Sequence, residues 1–153
     1  MRILVIGKNG QIGRSIYEIV NKTNDDAQPP NEFIFVGRKE LDLSSNNSIF
    51  NYFDDHDKFD IIINCAAYTA VDQAEQEQDI ANQINNLAVK QLAQIANEQK
   101  TKLVHVSTDY VFDGNGRKPY KETDKTNPIN VYGKTKLAGE KALQEIMPTN
   151  AMI

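Results

Sequence analysis

Residues 3–16 read "ILVIGKNGQIGRSI". A short β-branched run leads into three glycines, and an amphipathic pattern comes directly after them. The run Ile3–Ile6 predicts a buried strand, and Gln11–Val20 predicts the helix after it. Between them Gly7, Gly10 and Gly13 fall where a strand-to-helix turn asks for glycine. Gly7 permits the tight turn, Gly10 lets the backbone approach a pyrophosphate, and Gly13 lets the helix pack close to the strand. The helix start then offers unpaired N–H groups and the positive end of a dipole to phosphate.

Three more apolar runs, Phe33–Val36, Ile61–Asn64 and Leu103–Val106, have the near-continuous character of parallel strands covered on both faces. Helical patterns separate them. One spans Ser45–Phe53, with Ser44 or Ser45 as N-cap. A longer one runs from about Ala74 to Glu98, with Ile80, Ile84, Leu87, Leu92 and Ile95 near one stripe. Alternating strands and helices predict an α/β fold, a Rossmann-like doubly wound parallel sheet with right-handed crossovers. The polar stretch Asn21–Asn31, "NKTNDDAQPPN", predicts a surface connection. "EIMPTNAMI", residues 145–153, ends a helix, turns at Pro148–Asn150 and opens another apolar run. A strand beginning there leads to the expectation that residues 1–153 are the N-terminal part of a protein about twice as long.

The 153 residues are 40% hydrophobic and 25% charged, with a net charge of −4, which suits one globular domain. No basic cluster recommends nucleic acid or an anionic membrane as partner. No run approaches the roughly 18 apolar residues of a membrane helix. The single cysteine, Cys65, allows neither a disulfide framework nor a thiolate metal site, and no His or Cys pair suggests a metal. A cytoplasmic location is therefore expected.

The end of the second strand should carry the residue that reads the cofactor ribose. In "FVGRKELDL", residues 35–43, glycine occupies the usual acidic position and Arg38 and Lys39 come next. An arginine there suits a 2′-phosphate, so NADPH is expected, with NADH as a second substrate of the same site. Asp42 and Leu43 would border the adenine. In "NCAAYTAVD", residues 64–72, the small residues Cys65, Ala66 and Ala67 allow a cofactor to pass close to the strand end. Cys65 reads as a buried small hydrophobe, His105 as a packed, hydrogen-bonded residue, and His56 as solvent-facing.

Reactive groups cluster in two places. "HVSTDYVFDG", residues 105–114, sets Ser107 and Thr108 at the carboxyl end of the fourth strand, where open α/β sheets bind ligands. Tyr132 and Lys136 lie at i and i+4 of a predicted helix, on one face. Hydride transfer to a ketone builds negative charge on its oxygen, and a proton must arrive there. A free tyrosine titrates near pH 10 and is a weak acid at neutrality. A neighbouring ammonium favours phenolate and so strengthens such an acid. Thr108 can donate to the carbonyl and orient it, and Lys136 can also bond the nicotinamide ribose.

The glycine loop, the strand-end threonine and the Tyr-x-x-x-Lys pair together resemble the extended short-chain dehydrogenase/reductases. More narrowly, "GKNGQIG", "NCAAYTAVDQAE", "STDYVFDG" and "NVYGKTKLAGEKAL" are similar, in order, to the dTDP-4-dehydrorhamnose reductase family. The resemblance implies an NAD(P)H-dependent reductase acting on the 4-keto group of a dTDP-4-dehydro-6-deoxy sugar to give dTDP-L-rhamnose. It implies Tyr132 as proton donor, Lys136 as its assistant and ribose ligand, Thr108 on the keto group, and Asp109 beside the sugar. It places Gly10, Gln11 and Ile12 along the pyrophosphate, and Ala66, Ala67 and Tyr68 beside the cofactor. Asn85 matches an asparagine that supports the active site from the long helix. A cofactor-binding domain over residues 1–153, a substrate-binding part beyond them and a homodimer complete the expectation. Two other functions share these motifs: a non-catalytic NADP-binding regulatory subunit, and a sugar-nucleotide epimerase or dehydratase.

Overall fold

A computed structural model describes residues 1–23, 31–116 and 118–153. Five parallel strands form one sheet: β1 (Arg2–Ile6), β2 (Glu32–Val36), β3 (Ile61–Asn64), β4 (Lys102–His105) and β5 (Ala151–Met152). Their order is β2-β1-β3-β4-β5, so the chain winds outward in both directions from β1. Register pairs Leu4 with Ile34 and Ile62, and Asn64 with His105. The α/β expectation holds, and the sequence-predicted strands agree with the structure to within a residue at either end.

Side chains alternate across a strand, so the sheet has two apolar faces. Leu4, Ile6, Ile62 and Leu103 enter one buried core with residues of α2 (Asn46–Asp54), α5 (Ala88–Gln99) and α6 (Val131–Ile146). Val89, Leu92, Ala93 and Leu143 supply its helical side and are fully buried. On the opposite face α1 (Gln11–Thr23) sets the edge of the Tyr17 ring against Phe35, with centroids 5.2 Å apart. There Phe33, Phe35, Ile61, Ile63 and Val104 are only half-buried, which departs from the expectation of strands covered on both faces. Among the described residues, no helix is long and apolar enough to cross a membrane.

Two helix boundaries differ from the sequence reading. α1 continues through Thr23, past the expected start of the connection, whose residues 24–30 lie outside the described residues. The long helix predicted from Ala74 is divided into α3 (Val71–Ala74), α4 (Gln78–Asn82), a π-helical turn (Gln83–Leu87) and α5. The π turn adds one residue to the ladder and rotates the helix beyond it, a device common at functional sites. It carries Asn85, which is 1% exposed. The hydroxyl of Ser45, one of the two expected caps, accepts the Ser48 N–H at 3.2 Å and starts α2.

Candidate active site

The glycine loop lies at the carboxyl ends of β1 and β2. Gly7 has φ +96°, and a Cβ there would sit 2.9 Å from the Ala66 backbone nitrogen. A Cβ at Gly13 would strike the Gly7 carbonyl oxygen. Gly13 is buried by this packing and does not reach the cleft. It therefore packs α1 against the loop and is not part of the cleft lining.

Beyond the loop opens a cleft of about 700 Å³. Its floor is Gly7, Gly10, Gln11 and Ile12, at the first turn of α1, where a helix leaves N–H groups unpaired. Ala66, Ala67 and Tyr68 form one wall, and Arg38, Asp42 and Leu43 stand at the far end. Ten of the expected cofactor residues thus border one space. Apolar Leu41 and Ile84, which sequence reasoning missed, add flat surface suited to a base or a nicotinamide ring. The absence of side chains at Gly7 and Gly10, the helix N-terminus and the cleft volume fit an extended dinucleotide.

The rim beside Gly37 holds more charge than the sequence reading used. Lys8 Nζ donates to Glu40 Oε1 at 2.6 Å, and the Gly37 N–H donates to Glu40 Oε2 at 2.9 Å. Those two bonds lower the Glu40 pKa. Arg38 Nε donates to Asp42 Oδ2 at 3.3 Å while the Arg38 side chain stays 74% exposed. Burial raises the Asp42 pKa, but the Ser44 hydroxyl and N–H and the Arg38 guanidinium outweigh it and leave the group lowered. Lys8 and Asn9 crowd the Gly37 position from the other side. Their signal was present in the sequence as the two residues between Gly7 and Gly10.

The second cluster lies where α6 meets the end of β4. Asn130 caps α6, its side-chain oxygen accepting the Gly133 N–H at 2.7 Å, and Glu75 Oε1 accepts the Val131 N–H at 2.7 Å. Neither Glu75 nor its role was anticipated. Tyr132 comes next in the first turn, 8% exposed, with its ring edge on Tyr110 at 5.5 Å and its body in a small cluster that Tyr68 flanks. Tyr68 is therefore the link between the cleft and the tyrosine. Thr108 opens a 3₁₀ turn (Asp109–Val111) and accepts the Tyr110 N–H at 3.2 Å. Asp109 is exposed beside it.

Lys136 is 1% exposed. Its Nζ donates to the Val106 carbonyl at 2.6 Å and stands 3.2 Å from His105 Nε2. Burial lowers its pKa to about 8, against the opposing pull of Glu140 one turn later. Glu140 in turn accepts the Ser107 hydroxyl. Burial, with the Lys136 charge added, lowers the His105 pKa to about 3. Asn85 stays out of the cleft: it clasps both backbone groups of Tyr68, at 2.8 and 3.1 Å, and donates to Thr135 on α6 at 3.2 Å. Tyr110 connects Thr108 to Tyr132, Lys136 joins α6 to the end of β4, and Asn85 ties α6 to Tyr68 in the wall of the cleft, whose lining includes none of Thr108, Tyr132 and Lys136. Cys65, expected to be a buried small hydrophobe, is only half-buried because it lines the cleft, and desolvation there raises its thiol pKa.

The family model of the RmlD substrate binding domain matches residues 1–153. The chain is 44% identical over 152 residues to a Salmonella typhimurium dTDP-4-dehydrorhamnose reductase, covering 97% of the chain and 48% of that relative. It is similar to the crystal structure of such a reductase from Clostridium acetobutylicum, with TM-score 0.88 and 38% identity, over 99% of the chain and 51% of that one. A Bacillus anthracis reductase in complex with NADP matches with TM-score 0.85 and 34% identity, over 98% and 50%. The chain spans about half the length of the curated relatives it matches.

Proposed function

We propose, from the premise that the chain belongs to the RmlD substrate binding domain family, that it serves an NADPH-dependent reduction of the 4-keto group of a dTDP-4-dehydro-6-deoxy sugar. The observation that supports this is the seating of α6 on the end of β4, with Lys136 on the Val106 carbonyl and Tyr132 packed by Tyr68, itself a wall of the glycine-floored cleft. A bound nicotinamide cofactor would supply the hydride. The chain's own residues would do the rest. Gly7, Gly10 and the start of α1 would hold the pyrophosphate, and Arg38 and Lys8 would face a 2′-phosphate. Thr108 would donate to the keto oxygen, and Tyr132 would deliver the proton that oxygen needs as charge develops on it. Asp109 would lie beside the sugar.

Residues 1–153 would thereby provide the cofactor half and the reacting groups. The sugar-nucleotide pocket would be completed by residues outside these 153, in a cytoplasmic enzyme. The experiment is NADPH oxidation on dTDP-4-dehydro-6-deoxy-L-mannose by the natural full-length protein, with the sugar product identified. Stoichiometric NADPH consumption giving dTDP-L-rhamnose is the expected result. Tight NADPH binding with no oxidation would replace it with a cofactor-binding regulatory role. Conversion of the sugar without net cofactor use would replace it with epimerisation.

A further inference from the structure

His105 is buried to 2% exposure between two side chains that are themselves buried to 1%, Asn64 and Lys136. The proposed reduction assigns it no task. Its two ring nitrogens are both engaged: Nδ1 lies 3.1 Å from Asn64 Nδ2, and Nε2 lies 3.2 Å from Lys136 Nζ. A neutral imidazole has one N–H and one bare nitrogen, and its neighbours decide which is which.

Asn64 makes that decision. Its Oδ1 accepts the Ala66 backbone N–H at 3.1 Å, so the amide cannot be turned over without setting two donors face to face. Its NH₂ group therefore points at Nδ1, which must accept. The imidazole proton is left on Nε2, aimed at Lys136. An ammonium has three donors and no acceptor, so it would meet that N–H donor to donor. An amine has a lone pair, and it can accept from Nε2 while still donating to the Val106 carbonyl. The charged form of Lys136 is disfavoured in this position by geometry as well as by burial.

We propose that His105 is a positioning residue for Lys136: held by Asn64 with its proton on Nε2, it donates to the Lys136 amine and so favours the uncharged form of that lysine in the position docked on β4. Protonation of Lys136 breaks the contact with Nε2. The side chain can then keep Val106 or turn along α6 toward Tyr132, so charge and position change together. The other titratable groups on these elements are Glu140 and Tyr132 and the exposed Lys134, Lys141 and Glu145 on α6, exposed Lys102 on β4, and exposed Asp109 and Tyr110 in the turn after it. Glu140 opposes the effect by favouring the ammonium. The low pKa of His105 keeps the imidazole neutral across the working range, so the choice between tautomers is always in force.

The tautomer follows from the structure alone, and only its effect on turnover rests on the reductase function. Nitrogen NMR of the ¹⁵N-histidine-labelled chain should show Nδ1 bare and Nε2 protonated at neutral pH. The reverse assignment overturns the proposal without any variant. In ¹³C-lysine-labelled protein Lys136 should titrate near pH 8. His105→Gln, whose amide oxygen can accept from an ammonium, should raise that titration by about one pH unit. An unchanged value overturns it. Should that variant fail to fold, Asn64→Asp supplies an acceptor for Nδ1–H and should move the proton from Nε2 to Nδ1; a proton that stays on Nε2 overturns the lock. In the full-length protein His105→Gln should extend turnover to higher pH by the same interval, and an unmoved kcat profile overturns the link to Lys136. A protein that shows the predicted tautomer but reduces no sugar nucleotide would refute the reductase function and leave the lock standing.

Discussion

At the end of β1 the surface offered to a ligand is backbone. Gly7, Gly10 and the first turn of α1 present N–H groups and the space left by absent side chains. At the end of β4 the offer is made by side chains, several of them buried: Lys136, His105 and Tyr132, held by Asn64, Asn85, Thr135 and the cap residues. A backbone cradle needs only small residues at fixed spacing, and it binds phosphate by geometry common to many proteins. A side-chain cluster needs each polar group satisfied in a low-dielectric setting, and it fails if one partner is misplaced. Binding should therefore depend on the first region and chemistry on the second.

The largest effect that can break this division is at Tyr132. In the full-length protein Tyr132→Phe should cost about 10²–10⁴-fold in kcat, the usual worth of a positioned acid, while the NADPH dissociation constant stays within about twofold. Stopped-flow oxidation and cofactor titration read the two quantities separately. A variant that keeps its turnover would remove Tyr132 from the reaction. The converse test is Gly13→Val. Its side chain would be driven into the Gly7 carbonyl, so stability should fall by about 1–3 kcal/mol and cofactor binding should weaken with it. Denaturant unfolding and the same cofactor titration check this. A variant as stable as the parent would mean that the loop can relax away from α1.

The two regions also differed in how far the sequence disclosed them. Period and punctuation sufficed for β1, the glycine loop and α1, because each glycine there answers a local steric demand. The Tyr132–Lys136 spacing was equally visible, since i and i+4 share a helix face. What could not be read was pairing across the fold. Glu75 reaches Val131 over 56 residues, and Asn64 meets His105 over 41. No local pattern encodes such contacts. The long helix was misjudged for a related reason: its apolar stripe continues through the π turn, so periodicity gave no sign of the extra residue that turns Asn85 inward. Lys8 and Glu40 were missed because their ion pair forms only when the ends of β1 and β2 lie side by side.

Specificity at the rim tests the cradle's one dependence on side chains. Arg38→Glu should weaken NADPH relative to NADH by about tenfold, as a like charge faces the 2′-phosphate. The ratio of kcat/KM for the two cofactors measures it. An unchanged ratio would shift the discrimination to Lys8, whose side chain packs at Gly37 and whose ammonium pairs with Glu40.

The smallest effects give the sharpest contrast, because the two helix caps are chemically alike and differ in the helices they start. Ser45 caps α2, which packs into the core behind the cleft, and Asn130 caps α6 two residues before Tyr132. Replacing either by Ala should lower stability by about 1 kcal/mol, the ordinary worth of an N-cap. Their effects on turnover should differ. Ser45→Ala removes a bond that no reacting group depends on, so kcat should hold. Asn130→Ala frees the first turn of α6, leaving Glu75 alone to restrain it, and a tyrosine displaced by a fraction of an ångström is a poorer donor. A several-fold loss of kcat for Asn130→Ala alone, at equal loss of stability, is the expected outcome. Equal kcat in both variants would mean that Tyr132 is held by Tyr110 and Tyr68 rather than by the helix start.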